Sequence, residues 1–177
     1  MATSPALLPI EEYLQNSYHP DADYVDGEIE HRTMGEHTHN FLQGFIYYAF
    51  TSNQESWGTE AIIEQRIRID SSRVRVCDVA VIDTSAPFEE VLTTPPLVCI
   101  EVLSTGDRAA RAEVVLADYL AMGVANIWFI DPVRRAAYTF GPSGLQEADP
   151  ASLTIPNTPI HLDLTPAFAK LDRKTKA

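Results

Sequence analysis

The sequence predicts an α/β domain, a mixed β-sheet with helices on its faces. Three observations carry that prediction. Segment 97–130 reads strand, helix, strand, the size of a right-handed parallel crossover. The segments around it read as meander and hairpin, with strands joined by turn residues. The run Leu97-Val98-Cys99-Ile100-Glu101-Val102-Leu103 is apolar but for one acid, as a strand buried on both faces would be.

The elements follow in order. Pro9 before Ile10-Glu11-Glu12-Tyr13-Leu14 opens a short helix, with proline and acids in its first turn. Tyr24-Val25-Asp26-Gly27-Glu28-Ile29-Glu30 is strand, turn, strand, with Asp-Gly as the turn. Over 37–52 the apolar residues Phe41, Leu42, Phe45, Ile46, Ala49 and Phe50 recur at helical spacing, and Asn53 and Gly58 punctuate the end. Segment 62–69 partly alternates, as a strand with one wet face does. Segment 74–82 is a second strand, fully apolar towards its end. Pro95-Pro96 opens the third, over 97–103. A helix over 108–122 follows and ends at Gly123 as a C-cap. Residues 126–130 make a fourth strand, stopped by Asp131-Pro132, and 136–140 a fifth, ahead of Gly141-Pro142-Ser143-Gly144. The tail carries Ile160-His161-Leu162 and a terminal helix over 166–171.

The chain has 177 residues, which predicts one domain over 1–177 with a core that needs no staples. Repeats, low-complexity stretches and linkers are absent from the sequence. No apolar run reaches the length of a transmembrane helix. The first residues have no basic n-region and soon meet Glu11 and Glu12, so they do not read as a secretory signal. Cys77 and Cys99 each lie in a hydrophobic run and read as two buried thiols in a reducing compartment. A cytoplasmic protein with no membrane association is the expectation.

Charge excludes more. The net charge is −12, and all three lysines, Lys170, Lys174 and Lys176, lie in the last eight residues. Residues 1–169 hold nine arginines against twenty-four acids, a net of −15. Such a chain is repelled by phosphate backbones at long range. A nucleic-acid function therefore needs a local arginine patch, a bound metal, or an oligomer that gathers one.

Two acids stand out by context. Asp78 lies in a strand bounded by Val76 and Val79, and Glu101 lies between Ile100 and Val102. A lone carboxylate in such a strand is costly unless paired, hydrogen-bonded or metal-bound. Two of them on neighbouring strands suit a divalent cation. Alternatively, each ends its strand facing water. His37 and His39 open the long helix, where one could act as ligand or base and both could be solvated. Two residues apart, they point to different helix faces and do not suggest a shared metal. Trp128 and Tyr119 read as core. Ser104-Thr105-Gly106-Asp107 could cap the helix after Glu101. A phosphate-cradling glycine loop, a nucleophile elbow and a Cys-x-x-Cys pattern are all missing.

The motifs, taken together, resemble a known family. They are Tyr24-Val25-Asp26-Gly27-Glu28-Ile29, then a helix-start histidine at 37 or 39, then Cys77-Asp78-Val79-Ala80-Val81. Pro95-Pro96-Leu97-Val98-Cys99-Ile100-Glu101-Val102-Leu103-Ser104 follows, then Tyr119-Leu120-Ala121-Met122-Gly123-Val124, Trp128-Phe129-Ile130-Asp131-Pro132 and Leu162-Asp163-Leu164. In order and spacing they resemble the Uma-two family of restriction-endonuclease-like proteins, within the PD-(D/E)XK nuclease superfamily. The resemblance implies a restriction-endonuclease-like mixed β-sheet flanked by helices, and hydrolysis of nucleic-acid phosphodiester bonds with Mg²⁺ or Mn²⁺. It implies Asp78 and Glu101 as metal ligands, the backbone carbonyl of Val102 as a further one, and Glu28 as a completing acid. The Asp26-Gly27-Glu28 turn could equally be a plain hairpin. DNA is the implied partner, and a homodimer or higher homo-oligomer the form expected by analogy, since two sites related by a two-fold axis cut both strands of a duplex.

The departures from the pattern matter as much. Cys77 replaces the proline before the first acid. Leu103 stands where the superfamily has its lysine. In this family the lysine sits on the next helix, four residues before the tyrosine, and that position is Val115 here. The family's acid one turn earlier is Arg111. Residues 1–169 contain no lysine to replace it. Arg111 or Arg108 could supply positive charge, but not a proton-accepting amine, because guanidinium stays protonated. Both could equally be solvated. Loss of such a charge stabiliser typically costs ~10²–10³ in rate. Three readings follow: an endonuclease, impaired by Val115; an inactive module that keeps the fold for binding or oligomerisation; and a hydrolase of small phosphate esters.

Overall fold

Hairpins and one crossover assemble an eight-stranded sheet. The computed structural model describes residues 7–32, 36–104 and 109–175. Strands β1 (Ala22–Val25) and β2 (Glu28–His31) form an antiparallel hairpin. Asp26 and Gly27 between them have φ of 51° and 91°, the two positive angles that a type I′ two-residue turn requires. Strands β3 (Thr59–Arg68) and β4 (Arg73–Asp83) pair along most of their length. Antiparallel to β4 runs β5 (Val98–Val102), and β5 pairs in parallel with β6 (Asn126–Asp131) across helix α4 (Ala109–Met122). Strands β7 (Ala136–Gly141) and β8 (Gly144–Ala148) extend the sheet as a further hairpin. The order is β2-β1-β4-β5-β6-β7-β8, with β3 on the other edge of β4.

One consequence of this order places the site. β3 occupies one edge of β4 throughout. β1 pairs with the other edge at Arg73 and Val74, and β5 pairs with that same edge from Val79 to Val81. β1 and β5 therefore fork apart, and residues 75–78 of β4 lie in the fork.

Helices cover both faces. Helix α2 (His37–Ser52) packs Leu42, Ile46 and Phe50, all fully buried, against Val79, Val81, Ile100 and Trp128. Each such side chain contributes about 1.5–3 kcal/mol of hydrophobic stabilisation. Helix α5 (Thr165–Thr175) joins this core through Ala167, Phe168 and Leu171. On the opposite face α4 packs Leu116 and Tyr119 against Cys77, Ala80, Cys99, Ile127 and Phe129. Gly123, at φ 101°, ends α4: its N–H donates to the Leu120 carbonyl, and that of Val124 to Tyr119. Helix α1 (Ile10–Gln15) sets Tyr13 against Tyr24 and Val74.

The fold is the mixed, helix-flanked α/β sheet that the sequence predicts. α2 has the predicted bounds, whereas α5 runs four residues past its predicted end. Helix α3 (Gln54–Trp57), strand β8 and the small pair β9 (Leu153–Thr154) and β10 (His161–Leu162) are additions. They are short or half-exposed and leave no long apolar period to read. Both cysteines are buried free thiols, and burial pushes the Cys77 thiol well up. Among the described residues no helix is long and apolar enough to cross a membrane.

Candidate active site

The fork leaves backbone amides without strand partners, and acids take them. Val76 N–H donates to Asp23 Oδ1 at 2.9 Å, and Val102 N–H donates to Asp78 Oδ2 at 2.8 Å. A buried amide left unpaired costs free energy on the scale of a lost hydrogen bond. So Asp78, 1% exposed, has one oxygen committed to holding β5 against β4 and one, Oδ1, turned to the cavity.

That cavity has a volume of about 360 Å³, and Asp78, Glu101, Val102 and Arg111 all line it. Glu64 and His39 join them. Glu64 faces Asp78 across the β3–β4 ladder, between the pairs Ile63–Val79 and Gln65–Cys77. Its φ is 51°, a left-handed angle uncommon for a non-glycine residue and costing about 1–3 kcal/mol when held in a strand. Its Oε1 accepts from Gln43 Nε2 at 2.5 Å, and Gln43 also donates to the Asp78 carbonyl at 2.9 Å.

His39 comes from the first turn of α2 and is buried. Its Nδ1 is 2.9 Å from the Val102 carbonyl and 3.2 Å from Ser104 Oγ. A carbonyl only accepts, so Nδ1 carries the proton and donates it. In the neutral ring Nε2 then keeps its lone pair, 3.6 Å from Asp78 Oδ1. His39, Glu64 and Asp78 each present one ligand atom, all within 4.8 Å of one another.

Arg32, from the residue after β2, lies among these groups. Its guanidinium bonds Glu64 Oε2 through one terminal nitrogen and Asp78 Oδ1 through the other. Burial opposes its charge, but Asp78, Glu101 and Glu64 together outweigh burial and hold its pKa well up. Glu101 is half-buried, with Oε1 accepting from Tyr119 OH at 2.7 Å. Burial, then the charge of Asp78, pushes the Glu101 carboxyl well above the usual range, and burial does the same to the Tyr119 phenol.

A second charge cluster adjoins the cavity. Arg75, fully buried, donates to Asp118 at 2.7 Å, Asp23 at 2.9 Å and Glu30 at 3.1 Å. It ties β4 to α4, β1 and β2. Arg111 belongs to the rim of this cluster. It donates to the His31 carbonyl at 3.2 Å and lies 3.7 Å from Glu30 and 3.9 Å from Asp23.

The predicted site residues thus separate. Asp78, Glu101, Val102 and Arg111 meet at one cavity, with Val115 in its wall. Glu28 does not join them: it is exposed, paired with Val25 beside the hairpin turn, and outside the cavity lining. His37 is exposed, whereas His39 reaches the centre. Arg108, and the proposed cap beyond Ser104, lie outside the described residues. Sequence reasoning missed Arg32, Glu64 and Gln43. Glu64 looked like the wet face of an alternating strand, and Arg32 follows a hairpin with no periodic signal.

The fork and the crossover thus gather acids of β3, β4 and β5 at one cavity of a mixed, helix-flanked sheet. The chain belongs to the Uma2 family, described as "Putative restriction endonuclease", which matches residues 10–171. It is similar in fold to the crystal structure of a "putative nuclease belonging to DUF820" from Anabaena variabilis. The TM-score is 0.81 at 20% identity, over 93% of this chain and 99% of that one. No curated protein matches the chain.

Proposed function

We propose that this chain is a metal-dependent endonuclease that hydrolyses phosphodiester bonds of nucleic acid, DNA foremost. One observation carries the reading most: ligand atoms of His39, Asp78 and Glu64 lie within 4.8 Å of one another, and Glu101 lines the same cavity. Carboxylate and carbonyl oxygens with waters suit Mg²⁺ and Mn²⁺. The donor set therefore fits the implied metal. Asp78, Glu64 and His39 would hold it, with Glu101 and the Val102 carbonyl, the ligands the resemblance implies beside Asp78, in the wall of the same cavity. When bound, such a cation lowers the pKa of a water and neutralises charge on the attacked phosphate.

The chain's own residues do the rest. The Val102 amide fixes Asp78, Tyr119 fixes Glu101, and Gln43 fixes Glu64. Arg32 and Arg111 supply the cavity's positive charge towards a phosphate, in place of the absent lysine. Neither accepts a proton, so among the chain's own groups proton acceptance falls to the carboxylates. Glu28 takes no part. The chain works as one domain and, by analogy with duplex cleavage, as a homodimer. Two free thiols fit a cytoplasmic setting.

The test is cleavage of supercoiled plasmid and single-stranded DNA with Mn²⁺ or Mg²⁺. Wild type is expected to cut slowly and Asp78→Ala not at all. Val115→Lys, which restores the family's amine, is expected to cut faster, by up to ~10²–10³. If none of the three cuts, the nuclease reading fails and the inactive binding module takes its place.

A further inference from the structure

We propose that Arg32 is a built-in competitor of the divalent cation: it neutralises Asp78 and Glu64 in the metal-free site and must leave them before a cation can bind. The inference rests on the metal-dependent reading above.

Asp78 Oδ2 is committed to the Val102 amide, so Oδ1 is the oxygen left for a cation. Arg32 holds that oxygen. Glu64 Oε1 is committed to Gln43, and Arg32 holds Oε2. The free ligand atom of the trio is then His39 Nε2. A cation shared by His39, Glu64 and Asp78, whose ligand atoms lie within 4.8 Å of one another, would sit where the Arg32 guanidinium bridges the two carboxylates. That space does not hold a cation and a guanidinium together.

Charge decides when the exchange happens. Arg32 cannot be titrated away, because guanidinium stays protonated across the accessible pH range. Its departure alone would strand the buried Asp78 carboxylate beside the half-exposed Glu64, which is unfavourable. It therefore stays until a dication replaces its charge. Arg32 is 18% exposed and lines the open cavity, so its head can turn towards a bound phosphate without unfolding the strands. An anion there gives the displaced guanidinium a new partner. Metal and phosphate then favour each other's binding, and by linkage the effect is mutual.

The experiment measures Mn²⁺ affinity by calorimetry, without substrate, for wild type, Arg32→Gln and Arg32→Lys. Arg32→Gln is expected to bind Mn²⁺ about tenfold tighter or more, the scale on which a close buried charge pair acts. Arg32→Lys keeps the charge but cannot bridge both carboxylates, and its affinity should fall between the two. Arg32→Gln should also melt lower than wild type without metal and gain more from saturating Mn²⁺, which covers the case of a variant that folds only with metal. A short non-cleavable phosphorothioate oligonucleotide should tighten Mn²⁺ binding in wild type and do so much less in Arg32→Gln. If wild type binds Mn²⁺ and Arg32→Gln binds it no tighter, the competition is wrong and the nuclease reading stands. If neither binds Mn²⁺, the metal reading fails and takes this inference with it.

Discussion

Replacing Arg75 by methionine should cost the fold about 3–5 kcal/mol, the range for removing one partner of a buried ion pair. Arg75 is 2% exposed, and three acids accept from it: Asp118, Asp23 and Glu30. Methionine fills much of the stem's volume, so the loss is mainly one of charge. Asp118 keeps Arg73 at 2.7 Å, and Asp23 keeps the Val76 amide at 2.9 Å. Those remaining partners place the expected cost at the lower end, about 3 kcal/mol. For a chain of this length that lowers Tm by about 6–12 °C. Urea unfolding at neutral pH reads the free energy, with the slope unchanged. pH gives a second check. Burial already raises the Asp23 carboxyl against the pull of Arg75, and loss of Arg75 raises it further. A carboxyl whose folded pKa exceeds its unfolded value favours the fold most below the unfolded pKa, about 3.9, and loses that contribution as pH rises through the folded value. The deficit of Arg75→Met should therefore shrink on mild acidification. A deficit below about 1 kcal/mol would refute the claim that Arg75 ties β4 to α4 and β1, since that is the range of an exposed pair.

Three further outcomes are expected. Tyr119→Phe removes the 2.7 Å bond to Glu101 without opening a cavity, and should lower stability by about 1–2 kcal/mol in urea; no change would mean that Glu101 is held by other groups. Glu28→Gln should leave both Mn²⁺ affinity and plasmid cleavage as in wild type, because Glu28 lies outside the cavity, and a loss of either would bring it back into the site. Tyr13, buried and donating to the Ala22 carbonyl at 2.7 Å, has its pKa raised by burial to about 12. Its contribution is complete below pH 10, the unfolded value, and is lost as pH rises towards 12, so an absorbance titration should show Tyr13 among the late tyrosines, with Tyr119, and Tyr13→Phe should remove one of them.

Much of the fold was legible because its largest elements carry strong periods. The helical spacing of Leu42, Ile46 and Phe50 marks α2, and the apolar runs either side of α4 mark the parallel crossover. β9 and β10 were not legible, since two residues make no period. The site divides in the same way. Asp78 and Glu101 could be read because a carboxylate in an apolar strand is conspicuous, and both line the cavity. Glu64 could not, because a backbone angle aims it and side-chain alternation reports only which face a regular strand would give it. Arg32 reaches the centre from a hairpin end, so only the assembled sheet shows what it touches. Arg111 was visible as a cation on the right helix, yet its nearest acids, Asp23 and Glu30, come from a hairpin far away in sequence.

The most direct test of the account is a crystal of the wild-type chain soaked in Mn²⁺ and measured for anomalous scattering. The account predicts a peak within coordination distance of Asp78 Oδ1, among the carboxylates of Glu64 and Glu101 and the His39 ring, with the Arg32 guanidinium moved off Asp78. A crystal that takes up Mn²⁺ only elsewhere, with Arg32 still bridging Asp78 and Glu64, would contradict it.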